Sequence, residues 1–510
     1  MSYLLAAKPA GCYTSSPDCE REGMCEYLSR QTGEQLRAPS SLDAAVSGAV
    51  VFARSDRTER ELVELLRGRR IKRQYLAVTD RPLPDDGSIS TDEPDRVSAV
   101  RHTSAADVGS GVTFRRYRAA AGHTGPYTVL EVQTSDDATR ELRRRAARLG
   151  IPLLGDGDNG GSAFPRLMLH CAEISFNSEI GGAVRHHVPT PSVISRLGKP
   201  GRGSLNAWLT ALDRRQGLFP NDEEATFRIM HSDGEGVRCD LLGEVCWFYW
   251  FRQRPPDDDD LADIADLTNE AGVRHWKVQY MGDRGDNPRA RRQWHSSDLE
   301  SWTGAENGLR YLLRSDRGLS PGLFLDQRRN RGWVKENADG CRVLNLFSYT
   351  GGFGLCAAAG GATEVANVDT SRRTLDWSRE NFALNGLDAT RLEFRPVDAR
   401  GFLAGCRKRG RTFDLVICDP PSFSRGREGV FRLERDLAGI LREAADVLAP
   451  GGTLLVSTNY EGWSRTRFDQ VVRGALQGGK FRFRPPPPPD WDFELPGEER
   501  IQKSLLVSGR

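Results

Sequence analysis

Residues 341–369 read CRVLNLFSYTGGFGLCAAAGGATEVANVD, and this stretch decides the fold of the C-terminal part of the chain. It opens with an apolar run of strand length, VLNLF (343–347), which leads into a turn carrying Gly351, Gly352 and Gly354. Glycines at such a turn permit a tight bend and a close approach of the backbone to a ligand. Their spacing is not GxGxxG, so a dinucleotide fingerprint is excluded. The stretch closes on Val368-Asp369, the end of a second strand. A carboxylate about 20 residues beyond a glycine turn can accept hydrogen bonds from both ribose hydroxyls.

The same rhythm continues toward the C-terminus. RLEFRPVD, FDLVICD and TLLVSTN are further apolar runs of strand length, and SRRTLDWSRENFALNG (371–386) and ERDLAGILREAADVLAPGG (434–452) read as helices. The second of these is expected to stop at Pro450-Gly451-Gly452. Alternating strands and helices predict a parallel sheet covered on both faces, with ligands beyond the carboxyl ends of the strands. Every candidate falls at such an end. Asp398 closes the third strand, where its carboxylate can accept from an adenine amino group. The fourth runs into Asp419-Pro420-Pro421-Ser422-Phe423. The two prolines stiffen that loop and remove backbone donors, while Phe423 offers a face on which an unstacked base can lie. Any one of these aspartates can equally be a helix N-cap. Their order on successive strands, together with the glycine turn, is what points to a cofactor site.

The stretch 306–510 resembles the class I methyltransferase domain of bacterial 23S rRNA methyltransferases. It is most similar to the guanine-N7 half of the bifunctional RlmKL type, related in turn to the RlmI type. The resemblance is carried by ENGLRYLL (306–313), GLFLDQRRNR (322–331), LNLFSYTGGFG (344–354), VDTSRRTLDWSRENFALNGL (368–387), FDLVICDPPSFS (413–424) and STNYEGW (457–463). It implies a Rossmann-like α/β domain that binds S-adenosyl-L-methionine. By the same resemblance Gln327, Arg328, Asn345, Ser348, Tyr349 and Thr350 surround the methionine part of the cofactor, Asp369 binds its ribose and Asp398 its adenine, with Gly351 and Thr370 also expected at the cofactor. Asp419, Pro420 and Phe423 face the methyl group and the target base.

The target atom is partly legible. Methylation at cytosine C5 needs a cysteine that adds to the ring, and related cytosine enzymes carry it after the strand that follows DPP. Here that segment reads Val456-Ser457-Thr458-Asn459, without cysteine, and Cys418 sits inside a strand where a thiol is ordinarily structural. Guanine N7 has its own lone pair and needs orientation rather than a base, with Asp419 accepting from the ring N–H and amino groups. An exocyclic amine would suit a similar carboxylate, and STNYEGW departs from the SNNKRGF of the guanine-N7 relatives, so the base stays open at this point. A non-RNA substrate remains a further alternative.

TFRIMHSDGEGVRCDLLGEV (226–245) resembles the small α+β domain that precedes this methyltransferase and helps to hold its substrate. Its neighbourhood contains a strand-like EVCWFYWF and a helix-like LADIADLTNEAG, joined by RPPDDDD (254–260), which reads as a solubilising acidic loop. Further upstream, LAAKPAGCYTSS, SLDAAVSGAVVFARS, RQYLAV, HTGPYTVLEV, ARLGIPLLGD and PRLMLHCAEISF follow in order the landmarks of RluA-type pseudouridine synthases. In that family an Asp preceded by His-Arg-Leu attacks the nucleotide. This chain has Ser40-Ser41-Leu42-Asp43, so Asp43 is the candidate nucleophile in an altered setting. Tyr75 matches the family's ring-stacking tyrosine and Arg143 its Asp-pairing arginine, although the surrounding block reads ATRELRRR. Two expectations follow: a bifunctional methyltransferase and synthase, or a degenerate module whose arginine-rich helix (140–148) tracks phosphates without reading sequence.

The expected layout is therefore a pseudouridine-synthase-like α+β domain over 1–185, a Pro/Gly/Ser-rich linker at 186–204, a small domain over 205–300 and the methyltransferase over 301–510. PPPPPD (485–490) reads as a stiff connector. With 510 residues, 38% hydrophobic and 28% charged, the chain suits a soluble multidomain protein. It has no apolar run of membrane-spanning length, and its start lacks the pattern of a secretory signal. The ten cysteines form no CxxC pair, which fits reduced thiols in the cytoplasm and predicts no metal site. A net charge of +2 leaves RNA affinity to local arginine patches at 141–148 and 284–292. The expected partner is 23S rRNA or a ribosomal precursor. Oligomeric state leaves no trace in the sequence.

Overall fold

The computed structural model describes residues 2–16, 22–83, 88–93, 96–98, 112–116, 127–135, 139–197, 203–216, 224–282, 293–318, 320–388, 392–426, 429–488, 490–493 and 502–509. Two compact units emerge. The first comprises Met1–Pro220, Ser232–Gly236 and Pro256–Gly272, and the second Asn221–His231, Val237–Pro255 and Val273–Arg510. This division does not follow the expected boundaries at 185, 205 and 300, because the middle segment contributes to both units.

The second unit is built on a seven-stranded sheet. Its strands run in the order Leu392–Pro396, Glu364–Asp369, Arg342–Leu346, Phe413–Cys418, Leu448–Thr458, Lys503–Gly509, Phe481–Arg484. The first five are parallel, whereas Lys503–Gly509 runs antiparallel to both of its neighbours. Arg342–Leu346 is first in the chain yet central in the sheet, so the strand order reverses there and opens a crevice at its carboxyl end. The five parallel strands are those expected from the sequence. Their two faces carry separate buried clusters, one around Leu344, Val416 and Leu454 and the other around Val343, Leu415 and Leu455. Successive residues thus feed opposite layers, as the pleat requires.

One boundary moves. The helix expected to end at Pro450 covers Leu433–Ala445, and Leu448 already belongs to the next strand. Pro450-Gly451-Gly452 lies within that strand at an irregularity in its register with Phe413–Cys418, and Gly451 has φ +75°. The proline and glycines make a bulge in a strand rather than a helix stop.

A five-stranded sheet also belongs to this unit, in the order Thr226–Met230, Val237–Leu242, Val245–Trp250, His275–Tyr280, Gln293–His295. The arginine-rich stretch 284–292 lies outside the described residues.

The first unit contains a nine-stranded sheet in which Leu169–Ser178 sits between Ser47–Ala53 and Lys72–Thr79 and also pairs with Gly182–His187. Within the segment expected to be a linker, the described residues include the end of a strand, a short helix and the start of another. The strand runs to His187, and helices follow at Ser192–Ser195 and Gly203–Arg215. Asp213 on the second helix accepts from the backbone N–H groups of Ser192 (2.8 Å) and Val193 (3.1 Å), and burial pushes its carboxyl up to about 6. The acidic run is also corrected. Asp257 caps the helix Asp258–Glu270 through a reciprocal capping box with Asp260, and Asp258 and Asp259 complete an acidic first turn. Carboxylates here complement the positive end of the helix dipole, so the run is a helix start rather than a loop.

Candidate functional site

The turn after Arg342–Leu346 has an unusual backbone. Phe347 and Tyr349 both adopt positive φ (+56° and +48°), and Gly351 follows at +81°. Two side-chain-bearing residues in the left-handed region within three positions store strain, a feature that clusters at ligand sites. A Cβ on Gly351 would sit 1.9 Å from Ser378 Oγ, so the helix Gly352–Ala359 begins where only glycine fits.

Asp369 braces this turn. Its two oxygens accept from the backbone N–H of Tyr349 (3.0 Å) and of Ser371 (2.9 Å). Each oxygen keeps a second lone pair for a ligand hydroxyl. Burial raises its carboxyl above the usual range. The Tyr349 hydroxyl donates to the Ser320 carbonyl (3.2 Å), burial lifts its pKa to about 12, and its ring lies between Phe324 and Trp377. Thr370 is exposed beside Asp369.

The other expected cofactor residues separate into two groups. Ser348 Oγ is buried without a hydrogen-bond partner, as are Asn367 Nδ2 and Ser378 Oγ. Gln327 is buried and donates to Ser457 Oγ (2.6 Å) and Asp419 Oδ1 (3.3 Å), while Asn330 donates to its amide oxygen (2.7 Å). These groups remain near the crevice. Others hold the scaffold. Asn345 spends its amide on Asn367 Oδ1 across the sheet (3.0 Å), and Thr350 donates to the Gly322 carbonyl (2.6 Å).

Arg328 is redirected most. Its guanidinium is buried, lies 3.0 Å from Asp492 and 3.3 Å from Asp490, and donates to the Thr226 carbonyl (2.8 Å). A buried cation needs paired carboxylates, and the two aspartates that follow the proline tract supply them. Asp398 caps the helix Ala399–Arg409, accepting from Arg400 N–H (2.8 Å) through Oδ1. That is the alternative role for an aspartate at a strand end.

Asp419 is part-buried at the end of Phe413–Cys418. Burial and the nearby carboxylate of Asp326 push it up to about 7. Pro420 is buried, and Phe423 begins the hairpin Phe423–Gly426/Gly429–Arg432, 46% exposed with the Arg432 guanidinium over its ring at 5.7 Å. Cys418 is fully buried with its thiol pKa raised by burial, an inert core thiol.

Next to Asp419 lies a feature that the sequence reading missed. A cavity of about 270 Å³ is lined by Arg228, Tyr249, Phe251, Phe324, Asp326 and Asn459 among others. Asp326 immediately precedes Gln327 in GLFLDQRRNR, so the motif held it, but nothing in the spacing separates its role from its neighbours'.

A model described as S-adenosylmethionine-dependent methyltransferase matches residues 264–468. These residues are thus similar to the S-adenosylmethionine-dependent methyltransferases. The methyltransferase domain is similar to ribosomal RNA large subunit methyltransferase I of Aeromonas salmonicida, with 40% identity over 176 residues, 34% of this chain and 44% of the relative. It is also similar to ribosomal RNA large subunit methyltransferase K of Neisseria meningitidis serogroup B, with 42% identity over 156 residues, 30% of this chain and 44% of the relative. The chain thus spans less than half the length of either relative. Among solved structures, SMU.776, a putative methyltransferase complexed with SAH, covers 72% of this chain and 98% of its own at 22% identity and TM-score 0.52, which supports the fold. The cofactor of the domain is S-adenosylmethionine, and the cradle fits it: a strained turn, a glycine that tolerates no side chain, a braced carboxylate and a buried hydroxyl without a partner.

A second model, described as RNA pseudouridylate synthase, matches residues 2–148. Its expected site is dispersed. Asp43 Oδ2 is buried without a hydrogen-bond partner. Arg143 does not pair with it but donates to Asp156, through Nε at 3.0 Å and Nη2 at 2.5 Å, and to Asp158 at 3.3 Å. Tyr75 is only 1% exposed in a central strand, and the void beside it holds about 10 Å³, room for one water and far too little for a base. The arginine-rich helix is split as well. Arg145 is buried beside Glu141, whereas Arg140, Arg144 and Arg148 are exposed.

Among the described residues no cluster of three His, Cys, Asp or Glu side chains has metal-binding geometry, and no helix is long and apolar enough to cross a membrane.

Proposed function

We propose that this protein methylates a guanine in large-subunit ribosomal RNA at N7, and that its first unit holds RNA without isomerising uridine. Bound S-adenosylmethionine supplies an electrophilic methyl group on a sulfonium. The chain's own contribution is positional: Asp369 and the turn at Ser348–Gly351 hold the cofactor, Gln327 orients Asp419, and Asp419 faces the base. Thr370 flanks the ribose, and Asp398 lies at the adenine end. The observation that carries the reading is the Asp419 carboxylate at a strand end with no reactive thiol near it. Residues 456–459 contain no cysteine, and Cys418 is sealed in the sheet. Covalent activation of a pyrimidine therefore lacks its nucleophile, whereas N7 attack needs none. A carboxylate also favours the positive charge that develops on the ring when N7 is alkylated. The names of the relatives support large-subunit rRNA as substrate. The segment 205–300 is proposed to position that RNA.

The test is methyl transfer from labelled cofactor to rRNA from cells lacking the gene, followed by nucleoside mass spectrometry. The expected product is 7-methylguanosine. Recovery of 5-methylcytidine, N2-methylguanosine or a methylated adenosine instead overturns the choice of atom. Label that survives RNase treatment overturns RNA as the substrate.

A further inference from the structure

We infer that the cavity beside Asp419 is the pocket for the target guanine, with Asp326 reading its Watson–Crick edge. This rests on the guanine-N7 reading and adds the residue that selects the base.

The cavity lies wholly within the second unit. Aromatic side chains supply its walls. Phe251 and Phe324 are 41% and 43% exposed, unusual for large apolar residues, and both face this opening. Rings exposed at the mouth of a concave site are what an unstacked base needs. Arg238 lies over the Phe251 ring at 4.8 Å and pairs with Glu461 at 2.9 Å, so the wall is held in place from the rim.

The polar groups divide between those already committed and one that is not. Arg228 is bound bidentately by Asp240 at 2.7 and 3.1 Å and lies over Phe493 at 4.7 Å. Its charge and that of Asp240 thus offset each other inside the wall. Among the described residues Asp326 takes a single side-chain hydrogen bond, from Asn459, and the Arg228 and Arg331 guanidiniums favour its anion from outside ion-pair distance, so acceptor capacity is left on its carboxylate. A part-buried carboxylate with spare acceptor capacity, in an aromatic-walled cavity, is costly unless a donor arrives.

Guanine presents such donors side by side, N1–H and the N2 amino group, which a carboxylate can accept together. Adenine and neutral cytosine place a ring acceptor at the corresponding position, and a carboxylate repels it. With that edge held on Asp326, N7 lies on the opposite side of the purine. One contact therefore selects the base and turns its N7 outward from the wall that reads it. Gln327, the residue after Asp326, donates to Asp419 Oδ1 at 3.3 Å, which joins the cavity wall to the strand end that carries Asp419.

The experiment uses the full chain and an RNA spanning the mapped position, made with guanosine, inosine or adenosine at that position. Inosine keeps N7 and N1–H but lacks the amino group. Wild type is expected to methylate guanosine about ten- to a hundredfold faster than inosine under single-turnover conditions. Asp326→Asn is expected to slow guanosine and bring the guanosine/inosine ratio close to one, while Asp326→Glu keeps part of the discrimination. S-adenosylhomocysteine affinity, measured on the same preparations, should match wild type and show that the variants are folded. An unchanged ratio in Asp326→Asn overturns the inference and leaves guanine methylation standing. A wild type that modifies another base overturns both.

Discussion

Arg143 holds both carboxylate oxygens of the fully buried Asp156, through Nε at 3.0 Å and Nη2 at 2.5 Å, and so does not serve Asp43. A guanidinium committed to a carboxylate in its own wall cannot also orient a nucleophile elsewhere. Asp43→Ala is therefore expected to leave the pseudouridine content of rRNA unchanged, read by chemical mapping of uridines in cells carrying the variant. Loss of any one pseudouridine would restore the bifunctional reading.

RNA affinity of the first unit is expected to rest on the arginines that remain in water. Replacing Arg140, Arg144 and Arg148 with glutamine should reduce the slope of log affinity against log salt by about 2 to 3, since each phosphate contact contributes roughly 0.7–0.9. Replacing Arg143 should instead lower the melting temperature, because it leaves the buried Asp156 charge without its cation and with only Asn159 as side-chain donor.

Asp419 ties activity to pH. Its carboxyl is raised from 3.8 to about 7 by burial and by Asp326. A raised acid is neutral below the unfolded value, so its contribution to stability is fully present there and is lost as pH rises through about 7. Catalysis has the opposite sign if the anion faces the base: the methylation rate should rise with pH, with a midpoint near 7. Asp326→Asn removes the neighbouring negative charge and is expected to move that midpoint downward. A flat profile between pH 5.5 and 8.5 would exclude the Asp419 anion from the rate-limiting step.

Much of this site was legible because it lies where a regular sheet delivers it. The five parallel strands are continuous apolar runs, and a run ending in aspartate marks its own carboxyl edge. Arg328 was not legible, because GLFLDQRRNR contains three arginines and the sequence does not say which of them are drawn into the interior. Asp490 and Asp492 decide it for Arg328, more than 150 residues away. Lys503–Gly509 was missed for a related reason: its partner Phe481–Arg484 reads FRFR, whose half-polar alternation carries less signal than the central strands. Asp326 stood inside a quoted motif, yet only the cavity distinguishes it from Gln327.

Arg328 is accordingly expected to matter for stability more than for the cofactor. Arg328→Met leaves Asp492 buried without this cation and Asp490 with Arg329 alone, and should cost about 3–5 kcal/mol in denaturant unfolding. Adding Asp492→Asn should recover part of the loss. A variant with unchanged stability and weakened S-adenosylhomocysteine binding would return Arg328 to the methionine pocket.

Asp369→Ala removes the acceptor for two backbone N–H groups as well as the proposed ribose partner. Calorimetric titration with S-adenosylhomocysteine should show weakening of about 1.5–3 kcal/mol. Gly351→Ala, with its Cβ 1.9 Å from Ser378 Oγ and φ at +81°, should also abolish measurable binding and lower stability by about 1–3 kcal/mol.

The capped helix Asp258–Glu270 belongs to the first unit, although the strands before and after it in the chain, Val245–Trp250 and His275–Tyr280, belong to the second. During synthesis the first unit therefore stays incomplete until residue 272 has left the ribosome, when two flanking strands of the second unit's smaller sheet are already made or nearly so. No single cut yields either half whole. A gene split at residue 200 would strip the first unit of two helices, Gly203–Arg215 and Asp258–Glu270, and burden the other half with both.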